Sequence, residues 1–494
     1  MEKAIIIGAG LGGLAAACRL AKAGLAVTVL EKNERSGGKV SLIEADGFRF
    51  DTGASLLTMP SVFDELFEFC GRRTEDYLAL ERLDPICRYF WPDGVGFDAS
   101  SDLKKTEREI EKIEPADVEG FRKYLADSRV KYEIAERTFL SKSLNRLPRL
   151  LTPGNLPDLL RISGWKTLDK HNRKYFRSEK LRQLFNRFAT YNGSSPYRTP
   201  AVFALIPHVE FGLGAYYVRG GIYRIPSALE KLATDLGVEF RFDSEVKEIL
   251  IEGGRARGVR FEDGRALEGD FVISNADAID TYRRLIDKRD RRIYTDEKLE
   301  KIEPSCSGFV ILLGTNKKFP QLAHHNIFFS EDYRAEFDAI FEARRPASDP
   351  TVYVCASSRT DESQAPAGAE NLFILVNAPY TGPKTDWEKE ASSYRDLIVE
   401  KLEPFGLEDL ENSIRFEQII TPEDFEKKYR ANRGSIYGVS SNGILSAFMR
   451  VPNRARDIAG LYFVGGTTHP GGGMPLVLLS GKMAADLILG EIEE

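Results

Sequence analysis

Gly8, Gly10 and Gly13 stand at G-x-G-x-x-G spacing directly after the apolar run Ala4–Ile7, and an acid, Glu31, closes a second apolar run about 20 residues on. Each type has a task. Gly8 makes a tight turn, Gly10 admits a pyrophosphate to the backbone, and Gly13 lets a helix lie close to the strand. A helix starting there, with Gly12 in its first turn, offers free N–H groups and a positive dipole end to phosphates. Glu31 can accept ribose hydroxyls and disfavours a 2′-phosphate. Lys32 follows it at the mouth of the same turn. The expected ligand is a dinucleotide.

The elements that must hold these residues are legible. Ala4–Ile7 reads as a buried parallel strand, Leu14–Ala23 as a helix ended by Gly24, and Ala26–Leu30 as the next strand. Near the other end, Leu461–Val464 reads as another buried strand. It leads into a glycine loop, Gly465-Gly466 to Gly471-Gly472-Gly473, and a helix opens with Met474 and Pro475 and runs from Leu476 to Leu489. This second strand–loop–helix junction is also anion-friendly. It is not a phosphate loop of the Gly-Lys-Ser/Thr kind, because Gly481-Lys482 lies inside the helix. Val238–Ala276 reads as a β-meander with hairpin turns at Gly253-Gly254 and Asp263-Gly264, ending on Phe271–Ala276.

Composition removes other classes. At 494 residues the chain holds two or three domains, and its formal charge of −6 gives a nucleic-acid binder no basis. Five cysteines form no CxxC pair, and five histidines include no HxxxH spacing although His324 and His325 are adjacent. No disulfide scaffold and no metal centre are expected, and a reducing compartment is. No apolar run reaches about 18 residues and the first residues do not resemble a signal peptide, so a soluble or peripheral protein of the cytoplasmic side is expected.

Arg35-Ser-Gly37-Gly38-Lys39 and Gly47-Phe-Arg-Phe-Asp51-Thr-Gly53 resemble the second signature of the flavoprotein superfamily of amine oxidases and carotenoid desaturases. The resemblance implies FAD, with Gly37, Gly38 and Lys39 beside the pyrophosphate, Val246 meeting the adenine, and Asn275 close by. It sets Gly465, Gly466, Met474 and Pro475 at the flavin. The fold is then α/β, a Rossmann-type FAD-binding domain with an inserted mixed α/β substrate domain. The FAD-binding domain takes residues 1–74, 216–284 and 431–494, and the substrate domain 75–215 and 285–430.

Between Ser141 and Thr190 twelve Lys or Arg stand against three acids, interleaved with Leu144, Leu147, Leu150, Leu151 and Trp165. Such a stretch suits the headgroup region of an anionic bilayer, or equally a solvated face over a leucine stripe. Residues 152–157 and 364–368 read as loops.

The chain is similar nearly end to end to bacterial-type carotenoid desaturases of the phytoene desaturase family. Tyr217-Val-Arg-Gly-Gly221, Ile273-Ser-Asn-Ala-Asp277 and Val464 to Pro475 carry that resemblance. The block Leu184–Tyr197 is most similar to hydroxycarotenoid 3,4-desaturases, with phytoene desaturase, carotenoid oxidase and isomerase as alternatives. The resemblance implies a hydrophobic carotenoid, a peripheral place on the inner face of the cell membrane, and oxygen or a quinone as electron acceptor. A C–C bond beside the polyene would lose two hydrogens, a hydride and a proton. His469, in the glycine loop, is the first candidate for proton transfer or substrate positioning. Glu210 and Arg219 are weaker candidates, expected at the solvated surface. An amine oxidase would need an aromatic cage, and Gly471–Gly473 offers none. A non-catalytic FAD-bearing protein would not need the complete loop.

Overall fold

Five parallel strands in the order Leu461–Phe463, Phe271–Ser274, Lys3–Ile7, Ala26–Leu30 and Glu239–Arg241 form the central sheet of the computed structural model. The structure describes residues 1–140, 158, 162, 165–443, 446 and 450–493. Ala4–Ile7 is buried throughout, as a strand covered on both faces must be. Burying each of its isoleucines contributes roughly 1.5–3 kcal/mol.

The first helix, Leu11–Lys22, packs against the C-terminal helix, Met474–Glu493, and against Arg224–Asp235. Gly481 permits the first of these contacts, since a Cβ there would lie 2.7 Å from the Gly12 carbonyl and 2.8 Å from the Ala15 Cβ.

The meander is shorter than the sequence suggests. Only Val246–Glu252, Arg255–Phe261 and Ala266–Glu268 pair antiparallel. Phe271–Ser274 lies inside the parallel sheet, between the first strand and Leu461–Phe463. Its four residues are all buried, which suits a two-sided sheet and not a meander with a wet face. Gly253 and Gly254 have positive φ, as their two-residue hairpin turn requires.

A second sheet has seven strands in the order Ile414–Ile420, Ser307–Thr315, Glu370–Ala378, Val352–Cys355, His325–Phe328, Cys87–Phe90 and Gly96–Ala99. Neighbours run antiparallel except His325–Phe328 with Cys87–Phe90. The whole is therefore α/β with a Rossmann-type parallel sheet beside a mixed α/β part. Gln364 ends a short 3-10 helix and a turn follows at 367–368, while 152–157 lie outside the described residues.

Much of the basic stretch, including Lys142, Arg146, Arg149 and Arg161, also lies outside them. In its described remainder, Lys180 pairs with Asp93 at 2.6 Å, Arg173 with Asp169 at 3.0 Å, and Arg187 is interior. Trp165 is 73% exposed. Among the described residues no helix is long and apolar enough to cross a membrane.

Candidate cofactor-binding site

One cavity runs from the end of Ala26–Leu30, past the first glycine turn, to the C-terminal glycine loop. It holds about 1740 Å³ of empty space, part of it open to solvent. Gly8, Gly10, Glu31, Lys32, Gly37, Gly38 and Lys39 line it with Val246 and Asn275, and Gly465, Gly466 and Met474 complete the lining. Gly12, Gly13 and Pro475 do not line it and act on packing instead. A Cβ on Gly13 would stand 2.3 Å from the Gly8 carbonyl, and one on Gly12 2.8 Å from the Gly465 nitrogen. Pro475 is the second residue of the C-terminal helix.

Glu31 is buried, and its carboxylate anchors the turn. Oε2 accepts the Ala9 N–H at 2.8 Å, while Oε1 accepts the Asn33 N–H at 2.9 Å and its side-chain amide at 2.7 Å. Three of about four acceptor positions are thus filled, leaving one on Oε2 for a hydroxyl. Gly10 caps the first helix without a side chain, so no side chain satisfies the first-turn N–H groups at the cavity wall. Asn275 knots the centre. Its Nδ2 donates to the Gly8 carbonyl at 3.2 Å, and Cβ atoms on Gly10 or Gly465 would come within 2.7 and 3.0 Å of its side chain.

Lys39 reaches under the cavity and donates to the carbonyls of Ser435 at 2.9 Å and Ile436 at 3.3 Å. Burial lowers its pKa, against the pull of Asp277. Asp277 is buried too, with its carboxyl raised by desolvation, and it accepts the N–H groups of Ile279, Asp280 and Asn432. Asp51 accepts the N–H groups of Ile222 at 2.7 Å and Tyr223 at 2.9 Å. This ties the Asp-x-Gly segment to Arg-Gly-Gly, where a Cβ on Gly221 would sit 2.8 Å from Asp51 Oδ2. Opposite these polar groups, Val310, Phe373 and Leu375 of the seven-stranded sheet give the cavity an apolar wall. A side-chain-free approach for phosphates, an acceptor for a ribose hydroxyl and a glycine-lined far end fit a flavin dinucleotide.

Residues 11–489 match the family model of flavin containing amine oxidoreductases. The chain belongs to this family. It is 43% identical over 491 residues to a 1-hydroxycarotenoid 3,4-desaturase of Flavobacterium sp. (strain P99-3), covering 99% of each chain. It is 40% identical over 494 residues to a 4,4′-diapolycopene oxygenase of Methylomonas sp, covering 100% of this chain and 99% of the relative. A 4,4′-diaponeurosporene oxygenase of Staphylococcus aureus (strain USA300) is 39% identical over 486 residues, 98% of this chain and 97% of its own. These identities place the flavoenzyme among the carotenoid desaturases, as an FAD-dependent oxidoreductase. Cyclohexylamine oxidase from Brevibacterium oxydans IH-35A shares the fold at TM-score 0.63 with 16% identity over 100% of both chains. A putrescine oxidase variant does so at 0.65 with 14% identity over 99% of both.

His469 does not line the flavoenzyme's cavity. It is buried, its Nε2 donates to the Phe139 carbonyl at 3.0 Å, and its ring meets that of Phe139 edge-on. Arg219 is exposed and pairs with Glu81 at 2.7 Å. Glu210 departs from its expected surface place. It is 1% exposed, pairs with Arg187 at 3.2 Å, and accepts the Tyr191 hydroxyl. Arg187 also donates to the Tyr89 hydroxyl at 2.7 Å and lies over the rings of Tyr89, Phe188 and Tyr191. A carboxylate can be buried only with such partners. Sequence reasoning missed the pair because Arg187 belongs to the basic stretch and Glu210 stands alone. The aromatic spacing of Phe185, Phe188 and Tyr191 around Arg187 was the available signal.

Proposed function

We propose that the flavoenzyme desaturates an acyclic carotenoid, with a 1-hydroxycarotenoid and its 3,4 bond as substrate and site. The observation that carries this reading is the end-to-end similarity to the named 3,4-desaturase, together with a cavity whose glycine loop shares its space with an apolar wall. FAD, when bound, supplies the two-electron acceptance that C–H oxidation requires.

The chain's own residues do the rest. Val310, Phe373 and Leu375 hold an apolar polyene and exclude water. The N-terminus of Met474–Glu493 presents its positive dipole end where negative charge would gather. The block Leu184–Tyr197 touches this cavity through Gly193, where a Cβ would stand 2.7 Å from the ring of cavity-lining Tyr437. The contact of His469 with Phe139 supports a loop-positioning role for it. The proposed division gives cofactor binding to residues 1–74, 216–284 and 431–494 and the substrate to 75–215 and 285–430.

A second reading, oxygenation, is favoured by the two oxygenases at 40% and 39% identity. The test gives one preparation phytoene and a 1-hydroxylated, extensively conjugated carotenoid in parallel. Desaturation of the hydroxylated pigment, with a red-shifted spectrum and phytoene left intact, supports the reading. Rapid conversion of phytoene alone replaces it with phytoene desaturation.

A peripheral seat on the membrane's inner face is supported by the basic stretch and by exposed Trp165. Electrons then pass to oxygen or a membrane quinone. Charge reversal at Arg146, Arg149 and Arg161 should release the protein from anionic liposomes. Unchanged binding refutes that seat.

A further inference from the structure

His324, His325 and Cys355 bring two ring nitrogens and a thiol sulfur within 4.8 Å of one another, and all three residues are buried. Strand pairing assembles them. His325 lies opposite Cys355 in the antiparallel ladder, and Cys355 lies opposite Phe373, so all three share the sheet face that walls the cavity. His324 precedes the strand, is freed from its alternation, and stacks its ring edge-on to His325 at 4.4 Å.

The hydrogen bonds orient both imidazoles. His324 Nδ1 meets the Thr360 hydroxyl at 2.7 Å. His325 Nδ1 meets the Tyr353 hydroxyl at 2.7 Å, which in turn meets Ser55 Oγ at 2.6 Å. Nε2 of each histidine is buried and has no hydrogen-bond partner among the described residues. A buried nitrogen left so is costly and asks for a ligand. Where Nδ1 donates to its hydroxyl, Nε2 is left with the lone pair, the arrangement metal-bound histidines adopt. Cys355 would bind as a thiolate, its proton displaced by the cation.

We propose that His324 Nε2, His325 Nε2 and Cys355 Sγ bind one copper(I) ion, the thiol proton leaving to solvent as the Cu–S bond forms. Thiolate with imidazoles suits a soft cation. A monovalent ion with one thiolate is neutral, as this dry interior demands, whereas a divalent ion would leave a net charge buried.

The test titrates flavin-loaded, full-length protein with copper(I) under anaerobic conditions against a chromogenic copper(I) chelator. One equivalent per chain is expected. Cys355→Ser should lose at least about 100-fold in affinity and Tyr353→Phe about 10- to 100-fold. Cys70→Ser should lose nothing, which separates this site from Cys18 and Cys70, which adjoin each other elsewhere in the fold. Retained flavin absorbance reports that each variant is folded, and X-ray absorption of the copper-loaded wild type should show one sulfur and two nitrogen neighbours. No stoichiometric copper, wild-type affinity in Cys355→Ser, or tighter zinc(II) than copper(I) binding in competition would overturn the proposal.

Discussion

Replacing Glu31 by glutamine keeps the shape of the first turn and removes its charge. The carboxylate accepts three protein donors, at 2.8, 2.9 and 2.7 Å, from a site 5% exposed to solvent. An amide offers one oxygen where the carboxylate offered two. If that oxygen keeps both Asn33 donors, the new NH₂ faces the Ala9 N–H and leaves it unpaired, at a cost of about 1–3 kcal/mol. The two remaining bonds fall from charge-assisted to neutral, losing about 1 kcal/mol each. Roughly 3–5 kcal/mol is therefore lost from the turn before any ligand is considered. The ribose then meets a neutral acceptor, and each 1.4 kcal/mol of lost contact weakens binding about tenfold. Thermal unfolding of the apoprotein, followed by fluorescence titration with FAD, separates the two parts. The apoprotein should melt several degrees lower and its FAD affinity should fall about tenfold or more. Wild-type values in both experiments would refute the assignment of Glu31 as anchor of turn and ribose alike.

Gly10→Val should abolish flavin uptake, because its Cβ alone would lie 2.7 Å from Asn275 Nδ2 and its methyls would occupy the phosphate approach; the flavin-to-protein absorbance ratio reads this directly. Arg187→Met should destabilise the fold by about 3–5 kcal/mol by stranding the buried Glu210, and adding Glu210→Gln should recover part of that in urea unfolding. Glu336 is buried and bonded to the hydroxyls of Ser330 and Thr351, yet desolvation raises its carboxyl to about 7 from 4.5. A raised carboxyl favours folding below the unfolded pKa and loses that advantage as pH rises through the folded one. The wild type should therefore lose about 3 kcal/mol relative to Glu336→Gln between pH 4.5 and 7, and parallel stability profiles would contradict this.

The first turn was legible because its chemistry is local: Gly8, Gly10, Gly13 and Glu31 declare strand, turn and helix within about 30 residues. The C-terminal glycine loop was legible for the same reason. Phe271–Ser274 was recognised as a strand but given to the wrong sheet, since a short apolar run does not say which neighbours cover it. Pairings made by the tertiary fold left no periodic trace. Arg187 looked like one more base on a charged face, and only packing shows its ion pair with Glu210. The approach of His324 and His325 to Cys355 left no trace in spacing because Cys355 arrives from the adjacent strand. Spacing rules see helices and turns well and see sheet registers poorly.

The most direct test of the central claim supplies the flavin-loaded enzyme with a 1-hydroxycarotenoid under ¹⁸O₂ and follows the pigment by mass. The expected product is lighter by two hydrogens, free of ¹⁸O, with its absorbance at longer wavelength. A product that carries ¹⁸O would contradict desaturation and move the enzyme to the oxygenases of its family.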